Sequence, residues 1–251
     1  MAKQHGLIKA IGKVGDHIYM QSKDGFLIRT KTTLSGDRIK TDPSFERVRE
    51  NMSEFGRACS AGKVLRSALR PVLQHASDHR VISRLVKAMM QVLHTDTVNP
   101  RGKRSFIEGN TELLQGFDFN KESILDVAFF APFDATIDRT AGTAEVKLPA
   151  FIPANSIVAP PGATHFKIVT MGAEISFNED SSVTDAKDTG LLPINGMATP
   201  AITLANQLPA ASTLPLFLAM GIQFFQVVNG YTYPLKSGAF NALRLVRVSH
   251  S

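Results

Sequence analysis

Apolar and small residues recur at steps of three and four from Phe45 to Ala76, through Val48, Met52, Phe55, Cys59, Gly62, Leu65, Leu69 and Val72. Such steps trace the a/d seam of a heptad and predict helix. Inside the seam, Gly56-Arg57-Ala58-Cys59-Ser60-Ala61-Gly62 is a run of small side chains that admits close approach by a neighbouring backbone. Asp42 reads as an N-cap and Pro43 as a first helical residue. Pro71 ends or kinks the helix, because it lacks an N–H and disfavours helix at Arg70. Gly56 and Gly62 each cost about 1 kcal/mol in a helix interior, so one bent helix or two shorter ones fit, and helices over 43–58 and 61–75 are preferred. A further amphipathic helix is predicted over 80–95, opened by Asp78, with an apolar face of Val81, Leu85, Met89 and Val92 packing on the first.

Before these helices the pattern is that of a β-hairpin. Val14 and His17-Ile18-Tyr19-Met20 lie in one strand over 13–21. Asp24-Gly25 supplies turn chemistry, and Phe26-Leu27-Ile28 returns. A lone hairpin is marginal in water, so it needs a host, and Val14, Ile18, Tyr19, Phe26 and Ile28 are the candidate subunit contacts. Residues 32–41 read as polar and turn-rich.

From about residue 106 helical spacing gives way to short β-branched and aromatic runs separated by Gly, Pro and Asn. Strands are predicted over 113–119, 125–130, 135–138, 143–148, 165–171, 173–177, 191–194, 201–204, 214–228, 231–235 and 243–249. Asn229-Gly230 is a strong hairpin turn. The apolar run 214–228 reads as a central strand covered on both faces, bulged at Gly221. In 243–249, Leu243, Leu245 and Arg247 fall on one face and Arg244, Val246 and Val248 on the other. The fold class predicted is α+β: an N-terminal β-hairpin plus helical hairpin, followed by an antiparallel β-sandwich. The organisation read from the pattern is an arm and hairpin over 1–41, a basic helical segment over 42–105 and a β domain over 106–251.

Charge sharpens this division. Residues 1–105 hold 20 Lys and Arg against 9 Asp and Glu, while 106–251 hold 8 against 13, within a total of +6. A +11/−5 split suits head-to-tail contact between copies, or an acidic partner such as nucleic acid. The candidate anion contacts are Arg80, Arg84 and Lys87, spaced along one helix face, and the cluster Arg101, Lys103 and Arg104, read as an exposed, flexible loop.

Chemistry is harder to find. The single cysteine, Cys59, excludes an intramolecular disulfide and sits on a packing seam. Gly12-Lys13-Val14-Gly15 lacks the spacing of a phosphate loop. His75 and His79 straddle a helix break, with Asp78 between them better used as a cap. His165 lies in an apolar strand, and Asp134 and Asp138 read as a polar strand edge. No catalytic constellation, metal site or cofactor motif is recognised, and no small-molecule substrate is implied. The N-terminal stretch lacks the apolar core of a signal peptide and no run is long enough to span a bilayer, which makes a cytoplasmic location the expectation.

Gly12-Lys13-Val14-Gly15, Tyr19, Gly25 and Arg29-Thr30-Lys31 resemble the opening of a widespread Bacteroidetes-type bacterial protein family, a domain of unknown function. The segments from Glu54 to Ala58, from Gly62 to Arg66, from Phe224 to Gly230, and Tyr233-Pro234-Leu235 are similar to that group too. The resemblance implies a Gly/Lys-rich hairpin, a helical segment and a C-terminal β domain, and it carries no assigned activity. The function expected is a non-enzymatic structural protein that self-assembles into a homo-oligomer, particle or filament through its hairpin and helical segment. The alternative is nucleic-acid binding by the basic part, and a carbohydrate-binding or enzymatic β domain is the third reading.

Overall fold

The structure, a computed structural model, describes residues 2–22, 24–31, 34–235 and 240–250; Lys23, within the expected hairpin turn, and Thr32 and Thr33, within the expected polar segment, lie outside the described residues. The chain divides into two compact units, Met1–Arg49 and Glu50–Ser251.

The first unit carries four strands, β1 (Ala2–Lys3), β2 (Gly12–Val14), β3 (His17–Ser22) and β4 (Gly25–Thr30), in an antiparallel sheet of order β1-β4-β3-β2. The strand expected over 13–21 is therefore two strands. The chain reverses at Gly15-Asp16, where Gly15 takes φ +56°, a conformation that costs glycine little. The segment expected to be only turn-rich contains a short helix, α1 (Gly36–Thr41), capped by Ser35, which accepts from Arg38 N at 3.2 Å. Asp42 caps a 3₁₀ turn, Pro43–Phe45, by accepting from Ser44 N at 2.9 Å. Among the described residues of this unit none is buried.

One helix, α2 (Glu46–Ala68), replaces the two expected; it runs unbroken through Gly56 and Gly62. The break comes at Leu69, followed by α3 (Arg70–Leu73), with Pro71 in its first turn where a missing N–H costs least. Then comes α4 (Val81–His94). Two expected strands are instead helical: a 3₁₀ turn at Thr111–Leu114 and α5 (Leu125–Ala128). In each only part of the apolar run turns inward; Leu114 and Leu125 are buried, whereas Leu113 and Val127 are exposed. The rest is β5 (Asp134–Asp138), β6 (Thr143–Leu148), the short α6 (Pro153–Ser156), β7 (His165–Ser176), β8 (Ser181–Asp188), β9 (Leu192–Pro193), β10 (Ile202–Gln207), β11 (Leu216–Val228), β12 (Tyr231–Leu235) and β13 (Ala242–Ser249).

The fold is α+β with antiparallel sheets. The second unit has a three-stranded sheet, β10-β6-β5, and a six-stranded one in which β11 pairs with β7 along one edge and, along the other, with β13 over Leu216–Ile222 and with β12 over Phe224–Val228. Strand alternation sorts the large sheet's side chains into two cores. Val169, Met171, Ala173, Ile175, Phe217 and Ala219 pack with Leu65, Leu69, Leu85 and Met89 of the helices. Phe166, Ile168, Leu218, Met220 and Ile222 pack with Ala144, Val146 and Leu204 of the small sheet. The strand β11 is thus covered on both faces.

The bulge lies elsewhere than expected. Leu218 pairs with Arg247 and Ala219 with Leu245, so Val246 is the extra residue and Gly221 is in register. The inserted residue changes the face parity of β13. Val248 joins Leu243 and Leu245 in the helix-facing core, while Val246 packs toward the other. At Gly221 a Cβ would stand 2.6 Å from the Ala242 carbonyl, so the glycine marks a close approach of backbones.

Two glycine substitutions should separate these roles. Gly56→Ala, where nothing lies within 4 Å of the added methyl, should stabilise the chain by about 1 kcal/mol. Gly221→Ala should destabilise it by about 1–3 kcal/mol. Urea unfolding midpoints of the two variants check both signs.

Candidate functional site

The basic residues nominated from sequence sit on a helical layer whose polar contacts are largely internal. Glu54, on α2, is 1% exposed, a costly position for a carboxylate unless it is paired. It accepts from Gly102 N at 2.8 Å and has Arg104 Nη1 at 3.8 Å and His94 Nε2 at 3.7 Å. Arg57 donates to the carbonyls of Gly102 and Arg104 and to Ser53 Oγ at 2.7 Å. Arg101 donates to Asn51 Oδ1 at 2.7 Å and lies 3.6 Å from a Glu50 carboxylate oxygen. Lys103 is exposed. The loop expected to be flexible is therefore tied along α2 by both its carbonyls and its guanidinium groups.

Its base is Asp96, 1% exposed. One carboxylate oxygen accepts from Val98 N and Asn99 N, both at 2.9 Å. The other accepts from Asn99 Nδ2 at 2.9 Å and Ser105 N at 2.8 Å. Burial alone would raise this carboxyl, but the four donors outweigh it and hold it at about 2.

At and along α4 the three basic residues, Arg80 at its N-cap and Arg84 and Lys87 within it, separate. Arg84 turns inward, donating to Asp118 O at 2.8 Å and Phe119 O at 3.1 Å and to the Asp78 carboxylate, with its guanidinium 5.1 Å from the centre of the Phe117 ring. Arg80 is exposed and donates to His79 Nε2 at 3.2 Å; Lys87 is exposed. Asp78 accepts from Arg80 N and Lys121 N as well as Arg84. Burial would raise Asp78, and these bonds reverse the shift to a lowering. His75 contacts Gln74 Nε2 at 3.2 Å, and among the described residues no group of three His, Cys, Asp or Glu side chains is placed to hold a metal ion.

The nominated contact residues of the first unit form a second constellation. Antiparallel partners share a face. Val14 stands opposite His17, Tyr19 opposite Ile28 and Gln21 opposite Phe26. Val14, Tyr19, Phe26 and Ile28 therefore line one face, while Ile18 falls on the other with Met20 and Leu27. Val14 is 65% exposed and the other four nominated residues are half-buried. The loop joining β1 to β2 adds exposed Leu7, Ile8 and Ile11.

Sequence reading passed over a groove of about 310 Å³ beside α3, where Arg66, Arg70, Ser67 and Ser77 converge. Its only sequence signal is the i, i+4 spacing of the two arginines across the break at Leu69. Among the described residues no helix is long and apolar enough to cross a membrane.

The Asp96 network makes a pH-dependent prediction. The folded-state carboxyl is depressed, so its stabilisation is complete above about pH 4 and is lost as pH falls through about 2. Asp96→Asn, which keeps one acceptor oxygen but loses the charge, should lower stability at pH 7 by about 1–3 kcal/mol. The gap to the unsubstituted protein should close between pH 4 and pH 2, as read by urea midpoints at pH 7, 4 and 2.

No protein-family model, curated protein or solved structure matches the chain.

Proposed function

We propose that this chain is a non-enzymatic structural protein that self-assembles through its N-terminal strands and helical segment. In this reading the paired β3 and β4 act as a hairpin arm, and the two sheets of the second unit form a sandwich-like body. One observation carries the proposal. The first unit builds a four-stranded sheet with apolar side chains on both faces, yet none of its described residues is buried. A sheet gains stability by burying a face, and each Val, Leu, Ile or Phe side chain so covered contributes about 1.5–3 kcal/mol. A second copy of the chain supplies the cover.

The helical segment supports the same reading. Along α2, Glu50, Glu54 and Arg57 meet the chain's own loop, whereas Met52 and Phe55 are 60% and 55% exposed. This half of the helix thus offers its apolar side to solvent. Nucleic-acid binding gains less support, because Arg84, Arg101 and Arg104 already face carboxylates of the chain.

Mass photometry of the purified protein across salt tests the proposal. Species larger than the monomer are expected at moderate salt. A Tyr19→Glu/Ile28→Glu variant should weaken association about tenfold or more, and Met52→Glu/Phe55→Glu should weaken it as well. Compact monomers at every salt concentration would end the proposal.

A further inference from the structure

Most arginines of the second unit are spent on the fold. Arg244 is held by Asp118 at 2.8 Å and Asp126 at 2.6 Å, and Arg139 donates to the backbone of Ser212 at 2.8 Å and Leu214 at 3.0 Å. Arg66 and Arg70 differ. Both line the groove of about 310 Å³ between the end of α2 and the start of α4. Among the described residues Arg66 uses only Nε, donating to Gly62 O at 3.1 Å, which leaves both terminal nitrogens. Among the described residues the Arg70 guanidinium and the hydroxyls of Ser67 and Ser77 make no hydrogen bond, and no acidic side chain lines the groove. A cation near a helix C-terminus is ordinary and accounts for Arg66. It does not by itself account for Arg70, two residues past the end of α2, lining the same groove beside the hydroxyls of Ser67 and Ser77.

Two guanidinium groups and two hydroxyls around one space offer donors to several oxygens of a single dianion, the arrangement that suits a phosphoryl group. Val81 and Ile82, the first residues of α4, give the groove an apolar wall beside the positive end of that helix's dipole. The volume lies at the lower end of small-ligand sites, about 300–1,000 Å³. Elsewhere in the helical layer Arg84, Arg101 and Arg104 are engaged by the chain's own carboxylates. We propose that this groove binds small phosphate monoesters, with the phosphoryl group on Arg66 and Arg70 and the body of the ligand against Val81 and Ile82.

Isothermal titration of the full chain with phenyl phosphate and with inorganic phosphate, at one fixed low salt concentration, tests this. Phenyl phosphate should bind, and bind more tightly than inorganic phosphate. Its affinity should fall about tenfold or more in Arg70→Gln and again in Arg66→Gln, with no change in Lys87→Gln, an equal charge change on an exposed residue outside the groove. Arg70 is exposed, so its variant should keep the parent's urea midpoint; Ser67→Ala/Ser77→Ala is a second variant expected to weaken binding. Absence of phenyl phosphate binding at millimolar concentration would overturn the proposal. So would equal affinity for the two anions, an equal loss in Lys87→Gln, or an oligonucleotide whose binding depends on Arg70 when phenyl phosphate does not bind.

Discussion

The second unit depends on β11 having a core on each face. Thirteen residues long, it places Leu216, Leu218, Met220 and Ile222 against the small sheet and Phe217 and Ala219 against the helical layer. Few strand sequences satisfy this, because every position must be apolar or small and the backbone must pair on both edges. Gly221 meets the second demand by letting β13 come close. The Val246 bulge then gives β13 the face parity that returns Val248 to the helix-facing core. Losing the bulge would turn one end of that strand inside out, since a one-residue slip exchanges faces.

The helical layer shows a different constraint. Toward its C-terminus α2 buries Leu65 and Ala68, and a Cβ at Gly62 would lie at ordinary contact distance from Leu85 and Met89 of α4. Closer to its start, the side facing the rest of the unit carries Glu50, Glu54 and Arg57, and what it meets is a polar loop. The carbonyls of Gly102 and Arg104 need donors and the Gly102 N–H needs an acceptor, so charged residues satisfy this contact better than apolar ones. Met52 and Phe55 are left on the opposite side.

This explains what could be read from sequence and what could not. The period of three and four indicated helix, and α2 follows it, but the seam is buried only from Gly62 on, whereas Val48, Met52 and Phe55 are exposed. Burial of a seam needs an apolar neighbour, and beside this half of α2 the neighbour is a loop stapled by Glu54. The long apolar run around Gly221 was legible because burial on both faces leaves a continuous signal. By contrast β8, reading Ser-Ser-Val-Thr-Asp-Ala-Lys-Asp, is an edge strand exposed at nearly every position, and no alternation marked it. The runs at 113–119 and 125–130 misled for the reverse reason. They are apolar enough for strands, yet each buries only a few residues through a single helical turn. Of the candidate groups, the cations were visible as residue types, but Glu50 and Glu54 lie too far along the chain from Arg101 and Arg104 for spacing to reveal them, and Asp78, six residues from Arg84, reads from spacing as a cap.

Net charge therefore has to be read after pairing. A surplus of eleven positive charges over residues 1–105 suggested a broad basic surface, but the guanidinium groups best placed to form one are turned onto carboxylates and carbonyls. An arginine so engaged is a positioned donor with little field left to offer. What persists is local. Lys63, Lys87 and Lys103 are exposed, and Arg66 and Arg70 line one groove that among the described residues has no acidic side chain in its wall. Two like charges held together without a carboxylate repel one another, and that repulsion is relieved by an anion that contacts both.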